Sequence, residues 1–337
     1  MNLEAKMCLL LAGLFPLCGC VHLRQSREAR QPAPEPLPAA AVALVAKPPK
    51  PVVVLSETEL ATNRHYRVIR IVLAHPENSG ATNTLDYYQL PNGRRPVILL
   101  LPMAGGRRYQ VEGFFARYFA QRDIAVVIAH RRRIAREFKL DAIDPWLLET
   151  IQDNVRALDW IETRPELDAD RIGLFGISLG GIRGVLLTGL DRRVKAAALG
   201  LAGGDLAHVA AYSDEPGAAR RRKDYMLKHD LTAEQLKSQL REAISFEPND
   251  FAAHIDPQKV LLVLACFDQA VPFAKGWELR ARLGKPETLL LPTGHYTAAL
   301  AIPTIQWESL QFFRDRLDIG PPIVQANQLR APRDASN

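Results

Sequence analysis

Residues 176–180 read Gly176-Ile177-Ser178-Leu179-Gly180, and a serine held between two glycines at that spacing is placed to act as a nucleophile. The pentapeptide follows an apolar run and opens a segment of helical apolar periodicity. It therefore falls where a strand turns sharply into a helix and leaves the serine hydroxyl exposed at the bend. Glycine on either side fits a point where strand and helix pass too close for a side chain. A serine hydroxyl reacts slowly at neutral pH unless a base takes its proton, and that base needs a carboxylate to orient it. Attack on a carbonyl also creates an oxyanion, which calls for backbone N–H donors facing it.

The rest of the chain supplies these partners in order. Residues 260–267 read as a buried strand and are followed by Asp268-Gln269-Ala270-Val271-Pro272. Residues 287–292 form a second apolar strand, capped by Thr293-Gly294-His295-Tyr296. His295 is the expected base and Asp268 the expected orienting acid. Asp205 is the alternative acid, because it ends the run after the next strand, 199–204. Upstream, the strand 96–101 ends in Pro102-Met103-Ala104-Gly105-Gly106, a loop open enough for backbone N–H groups to approach a substrate. The oxyanion hole is expected from the Leu179 N–H together with that of Met103 or Ala104. His130 ends the strand 124–129 but precedes the serine, which fits a lining residue better than the base.

In these stretches the sequence resembles the α/β-hydrolase superfamily, in particular the branch of dienelactone hydrolases, acetyl esterases and prolyl-oligopeptidase-type peptidases. The resemblance rests on residues 158–181, the Asp268-x-x-Val271-Pro272 turn and Gly294-His295, within about residues 60–316. It departs where many relatives carry His-Gly after the early strand and this chain has Pro102-Met103. The resemblance implies a mostly parallel central sheet flanked by helices. It also implies a serine hydrolase acting through an acyl-enzyme without cofactor or metal, on a small-molecule ester. A peptidase of the same branch is the alternative within hydrolases. Outside them, the alternative is a non-catalytic envelope lipoprotein using the fold to bind a partner.

The elements that position these residues lie between two segments of different character. Residues 1–19 read as an export signal: Lys6, then an apolar stretch over 7–17 too short to span a bilayer. It ends in Leu17-Cys18-Gly19-Cys20, which resembles the lipobox of bacterial lipoproteins and implies a membrane anchor on Cys20. Val21 rather than aspartate after that cysteine points, in a Gram-negative host, to the outer membrane facing the periplasm. Of the four cysteines, Cys8 and Cys18 leave with the signal, and Cys266 sits in an apolar strand as a small hydrophobe. No disulfide is then expected, and about 260 residues must be held by their core alone. Residues 20–55 are rich in Pro and Ala and are expected to be an extended spacer. Residues 319–337 read as an irregular tail.

Within the domain, 56–318, strand-like runs alternate with helical periods, the pattern of an α/β sheet. Asp144-Pro145 opens a helix whose apolar positions, Leu147, Ile151, Val155, Leu158 and Ile161, follow helical spacing. Residues 205–257 carry few strand signals, and Thr232-x-x-Gln235 is a capping-box pattern, so a small helical lid is expected there. The 43 Lys and Arg against 37 Asp and Glu leave a formal charge of +6, with runs at 131–133 and 220–223. Without interleaved aromatics these read as solvated loop charge rather than a nucleic-acid site. Because Arg131 follows a strand end, it also allows a preference for acidic substrates.

Overall fold

The computed structural model describes residues 20–23, 36–46, 51–75, 81–105, 109–135 and 137–320. The expected export signal, residues 24–35 and 47–50 of the expected spacer, and the tail from 321 lie outside the described residues. Ten strands are present among them: β1 (Val21–Leu23), β2 (Val54–Thr62), β3 (Arg67–Ala74), β4 (Thr82–Gln89), β5 (Arg95–Leu101), β6 (Ala125–Ala129), β7 (Leu167–Ile177), β8 (Val194–Gly200), β9 (Val260–Ala265) and β10 (Glu287–Leu291). Their order across one sheet is β1-β10-β9-β8-β7-β5-β6-β4-β3-β2. From β6 to β10 the pairings are parallel, while β4, β3 and β2 add antiparallel strands at one edge. The central strands read as nearly continuous apolar runs because helices cover both of their faces. β2, all of whose residues are exposed, is instead mixed Ser, Glu, Thr and apolar, as an edge strand tends to be.

The helices are α1 (Ala39–Ala46), α2 (Gln110–Ala120), α3 (Ile143–Glu162), α4 (Leu179–Leu190), α5 (Leu206–Tyr212), α6 (Pro216–His229), α7 (Ala233–Ala243), α8 (Pro248–Ala252), α9 (Phe273–Arg282) and α10 (Ile302–Arg316). Successive residues of β7 show how the two layers are divided. The Phe175 ring lies 4.4 Å from that of Phe115 on α2, and Phe119 of the same helix meets Phe313 of α10. Leu174, one residue earlier, points the other way, to Gly184 of α4. That alternation is what a strand covered on both faces requires.

Two described pieces differ from the extended spacer expected over 20–55. Val21–Leu23 pairs antiparallel with β10, through Val21 to Leu290 and Leu23 to Thr288. Val21 and Leu23 are half-buried against the core, and His22 between them is more exposed. Ala39–Ala46 is a helix started by the Pro38 carbonyl, which accepts the Ala41 and Val42 N–H groups. Its Ala41 is fully buried. The alanines favour a helix and let it lie close to its neighbours.

Candidate active site

Ser178 occupies the single residue between β7 and α4, with φ 57° and ψ −123°. A non-glycine residue rarely adopts such a conformation, and here the close packing of strand and helix imposes it. A Cβ on Gly176 would stand 2.3 Å from the Gly180 carbonyl oxygen, and one on Gly180 would stand 2.0 Å from that of Leu101. The Ser178 N–H donates to the Gly200 carbonyl at 2.8 Å, and its own carbonyl accepts the Ile182 N–H at 2.9 Å. The Leu179 N–H, in the first turn of α4, has no intrahelical acceptor and lies at the positive end of the helix dipole.

The loops after β9 and β10 are tied together. Cys266 N–H donates to the Leu291 carbonyl and Phe267 N–H to that of Thr293, each at 2.9 Å. This pairing delivers Asp268 and His295 to the same place. Asp268 is 2% exposed. Its Oδ1 accepts the Val271 N–H at 2.8 Å, which fixes the carboxylate within its turn. Its Oδ2 lies 2.7 Å from His295 Nδ1, and His295 Nε2 lies 3.0 Å from Ser178 Oγ. A carboxylate can only accept, so the neutral imidazole carries its hydrogen on Nδ1 and offers Nε2 to the serine hydroxyl.

Asp205, the alternative acid, is turned elsewhere. It caps α5, accepting the His208 N–H at 3.2 Å, and its Oδ2 meets Lys275 Nζ at 2.7 Å. Burial pushes its carboxyl up, but Lys275, the His208 amide and Arg241 outweigh this and hold it below the usual range.

The loop after β5 corrects one expectation. The Met103 N–H already donates to Glu112 Oε1 at 2.9 Å, so it is not free to face an oxyanion. Ala104 has no acceptor for its N–H among the described residues and is the remaining candidate beside Leu179. The same loop is held by two arginines: Arg183 Nη2 donates to the Pro102 carbonyl at 2.7 Å, and Arg131 Nε to that of Met103 at 3.0 Å. Arg183 is 1% exposed. Burial pulls its guanidinium down to about 10, with Arg131 beside it acting in the same direction. Burial likewise pushes the Glu112 carboxyl above its usual range. The run 131–133 is thus not simply solvated charge, since Arg132 also pairs with Asp153 at 2.6 Å. His130 lies against Asp86, Nε2 to Oδ2 2.9 Å, with its ring 4.6 Å from that of Tyr109 at a tilt of 57°.

Glu112 and Arg183 were not legible as site residues. Glu112 belongs to no motif. Arg183 interrupts the apolar α4 as a lone charge, and that interruption is the one signal that could have marked it.

Residues 205–257 form α5 to α8. Their small core of Ala207, Ala211, Leu236 and Leu240 packs against Phe138, Leu140 and Ile143 in the segment after β6. Asp214 N–H donates to the Gln269 carbonyl at 3.2 Å, so this helical insertion touches the Asp268 loop.

The model of the prolyl oligopeptidase family matches residues 110–291, just over half of the chain and inclusive of Ser178 and Asp268. The chain belongs to that family. No curated protein matches the sequence. Among solved structures, an acetyl xylan esterase from Paenibacillus sp. R4 is similar with a TM-score of 0.64 at 20% identity, over 82% of this chain and 92% of that one. Acetyl xylan esterase 1 from Thermoanaerobacterium sp. JW/SL YS485 gives 0.58 at 17%, over 80% and 90%. A puromycin-hydrolyzing peptidase of Mycobacterium tuberculosis gives 0.57 at 19%, over 77% of this chain but 41% of that one. At these identities the likeness speaks for the fold, which is that of the α/β-hydrolases. As a prolyl oligopeptidase family member with this fold, the protein is a serine hydrolase.

Proposed function

We propose that the protein hydrolyses small-molecule carboxylic esters through an acyl-enzyme on Ser178. The observation that carries the reading is the unbroken chain from Ser178 Oγ through His295 to the buried Asp268. His295 Nε2 takes the hydroxyl proton as Ser178 attacks the ester carbonyl, and Asp268 stabilises the imidazolium that forms. The Leu179 and Ala104 N–H groups receive the oxyanion, at a helix N-terminus that already favours negative charge. His295 then protonates the leaving alcohol. Water, activated by the same imidazole, releases the acid and restores Ser178.

Esters rather than peptides are supported by the extent of the two likenesses: the acetyl xylan esterase corresponds over nearly its whole length, the peptidase over less than half. A peptidase remains the second reading, because the family's name comes from one. The helices α5 to α8 serve as a lid that shapes the alcohol or acyl pocket beside the Asp268 loop. A panel of p-nitrophenyl esters and aminoacyl p-nitroanilides tests the reading. Ester kcat/KM should exceed that for the anilides by about a hundredfold or more. Anilide turnover equal to or above ester turnover would favour the peptidase. No turnover of either, with no labelling by a fluorophosphonate, would favour a binding protein.

We further propose that the protein is exported and acylated on Cys20, anchoring it to the envelope, at the outer membrane if the host is Gram-negative. The lipobox-like Leu17-Cys18-Gly19-Cys20 supports this. Fatty-acid labelling should mark the wild type and be lost in Cys20→Ser; equal labelling of both would remove the anchor.

A further inference from the structure

The position of Cys20 relative to the site carries a consequence for how the molecule meets the membrane. β1 runs antiparallel to β10, with Val21 opposite Leu290. Continuing that register places Cys20 at the Leu291 end of β10, the carboxyl edge from which the chain passes directly to Thr293, Gly294 and His295. The Cys20 thiol meets Thr304 and lies near Glu308 on α10. His22 locks the strand down, Nε2 to Glu287 Oε1 at 2.7 Å and Nδ1 to Glu308 Oε2 at 3.5 Å. Cys20 itself is half-buried. The acylation site is therefore not at the end of a free tether. It is fixed to the sheet beside the catalytic edge.

α10, which carries Thr304 and Glu308, and the turn before it also expose large apolar side chains. Leu300 is 84% exposed and Trp307 55%. Trp307 lies on α10 between the Thr304 and Glu308 side that faces Cys20 and the Gln306 side, where Nε2 donates to the Phe114 carbonyl, and Leu300 lies in the turn that leads into α10. Phe114, Phe267 and Tyr296 are likewise exposed. Phe267 follows β9 and Tyr296 follows His295, so both also border the site. Exposed large side chains clustered on one rim mark an interaction surface, and aromatic residues with leucine suit the headgroup–acyl boundary of a bilayer. What selects a bilayer as the occupant is the chain itself: the lipobox-like Leu17-Cys18-Gly19-Cys20 puts the proposed acyl chains on Cys20, at this same edge.

We infer that the rim carrying Cys20, Leu300 and Trp307 is the bilayer-contacting face of the protein, and that it directs the mouth of the Ser178 site toward the membrane surface. The inference rests on the proposed acylation of Cys20. Esters presented at or in the membrane interface then reach the serine without the protein leaving its anchor. Insertion of the rim also adds to the hold of the lipid chains.

The test uses the full-length protein purified from membranes and reconstituted in phosphatidylethanolamine–phosphatidylglycerol vesicles with brominated acyl chains, which quench nearby tryptophan. Of the four tryptophans, Trp160 is fully buried and Trp307 is the one on the rim. Vesicle-bound wild type should be quenched, and Trp307→Phe should lose roughly half or more of that quenching. Its turnover of water-soluble p-nitrophenyl acetate should stay within about twofold of wild type. Fatty-acid labelling of Cys20 is read on the same samples. A labelled, vesicle-bound protein whose quenching is absent or unchanged in Trp307→Phe would overturn the orientation while leaving the anchor standing. An unlabelled protein that does not bind vesicles would overturn the anchor and the orientation together.

Discussion

Asp268 and Asp205 follow neighbouring parallel strands at the same edge of the sheet, yet only Asp268 reaches His295. Asp205 is held instead by Lys275 and by the cap of α5. Asp268→Asn should favour the wrong imidazole tautomer and lower kcat by up to about ten-thousandfold, whereas Asp205→Asn should keep it within about tenfold. Turnover of one p-nitrophenyl ester by both variants checks this, and the reverse order of losses would return the acid role to Asp205. At this scale the sequence was most readable where chemistry fixes both residue type and order. The Gly-x-Ser-x-Gly turn, the Asp268 turn and Gly294-His295 are short motifs whose meaning does not depend on distant contacts. The oxyanion loop was less readable. Met103 is claimed by Glu112, nine residues on, and Arg183 reaches back to Pro102 from α4. Neither contact has a local signature.

The elements explain why the site tolerates so little change in its backbone. Gly180→Ala would press a methyl group onto the Leu101 carbonyl, which belongs to β5 and cannot swing aside. It should cost more than about 2 kcal/mol or abolish folding, read as a loss of soluble protein or a lower urea midpoint. Asp205 contributes differently, through the start of α5. Its carboxyl is depressed below the reference value of 3.8, so its stabilisation is present above that pH and is lost as pH falls through the folded-state value. Asp205→Ala should therefore cost about 1–2 kcal/mol at pH 7 and progressively less in acid, measured by urea unfolding at pH 7 and near pH 3. An undiminished difference in acid would mean that packing, not charge, supplies the effect. The capping box at Thr232 and Gln235 forms as its pattern predicts. The helix at Ala39–Ala46 was hidden by the prolines around it, because composition averaged over the segment conceals eight residues that are apolar all round.

At the scale of the whole molecule, one sheet joins the two features that define the proposed role. The parallel strands bring serine, acid and base to their carboxyl ends, and β1 brings Cys20 to that same end. The parallel core was readable as alternating strands and helices, because buried strands must be apolar on both faces. β1 was not, since three residues are too few for periodicity and only β10 gives them a partner. The account stands on Ser178 as the nucleophile, and the most direct measurement is fluorophosphonate labelling with peptide mapping, run beside p-nitrophenyl ester turnover for wild type and Ser178→Ala. The wild type should carry the phosphonyl group on Ser178. Ser178→Ala should fold normally, take no label and lose turnover by several orders of magnitude, because the residues of such a site act as a unit. Substantial ester hydrolysis by a folded Ser178→Ala protein, or a label mapped to another residue, would contradict the account.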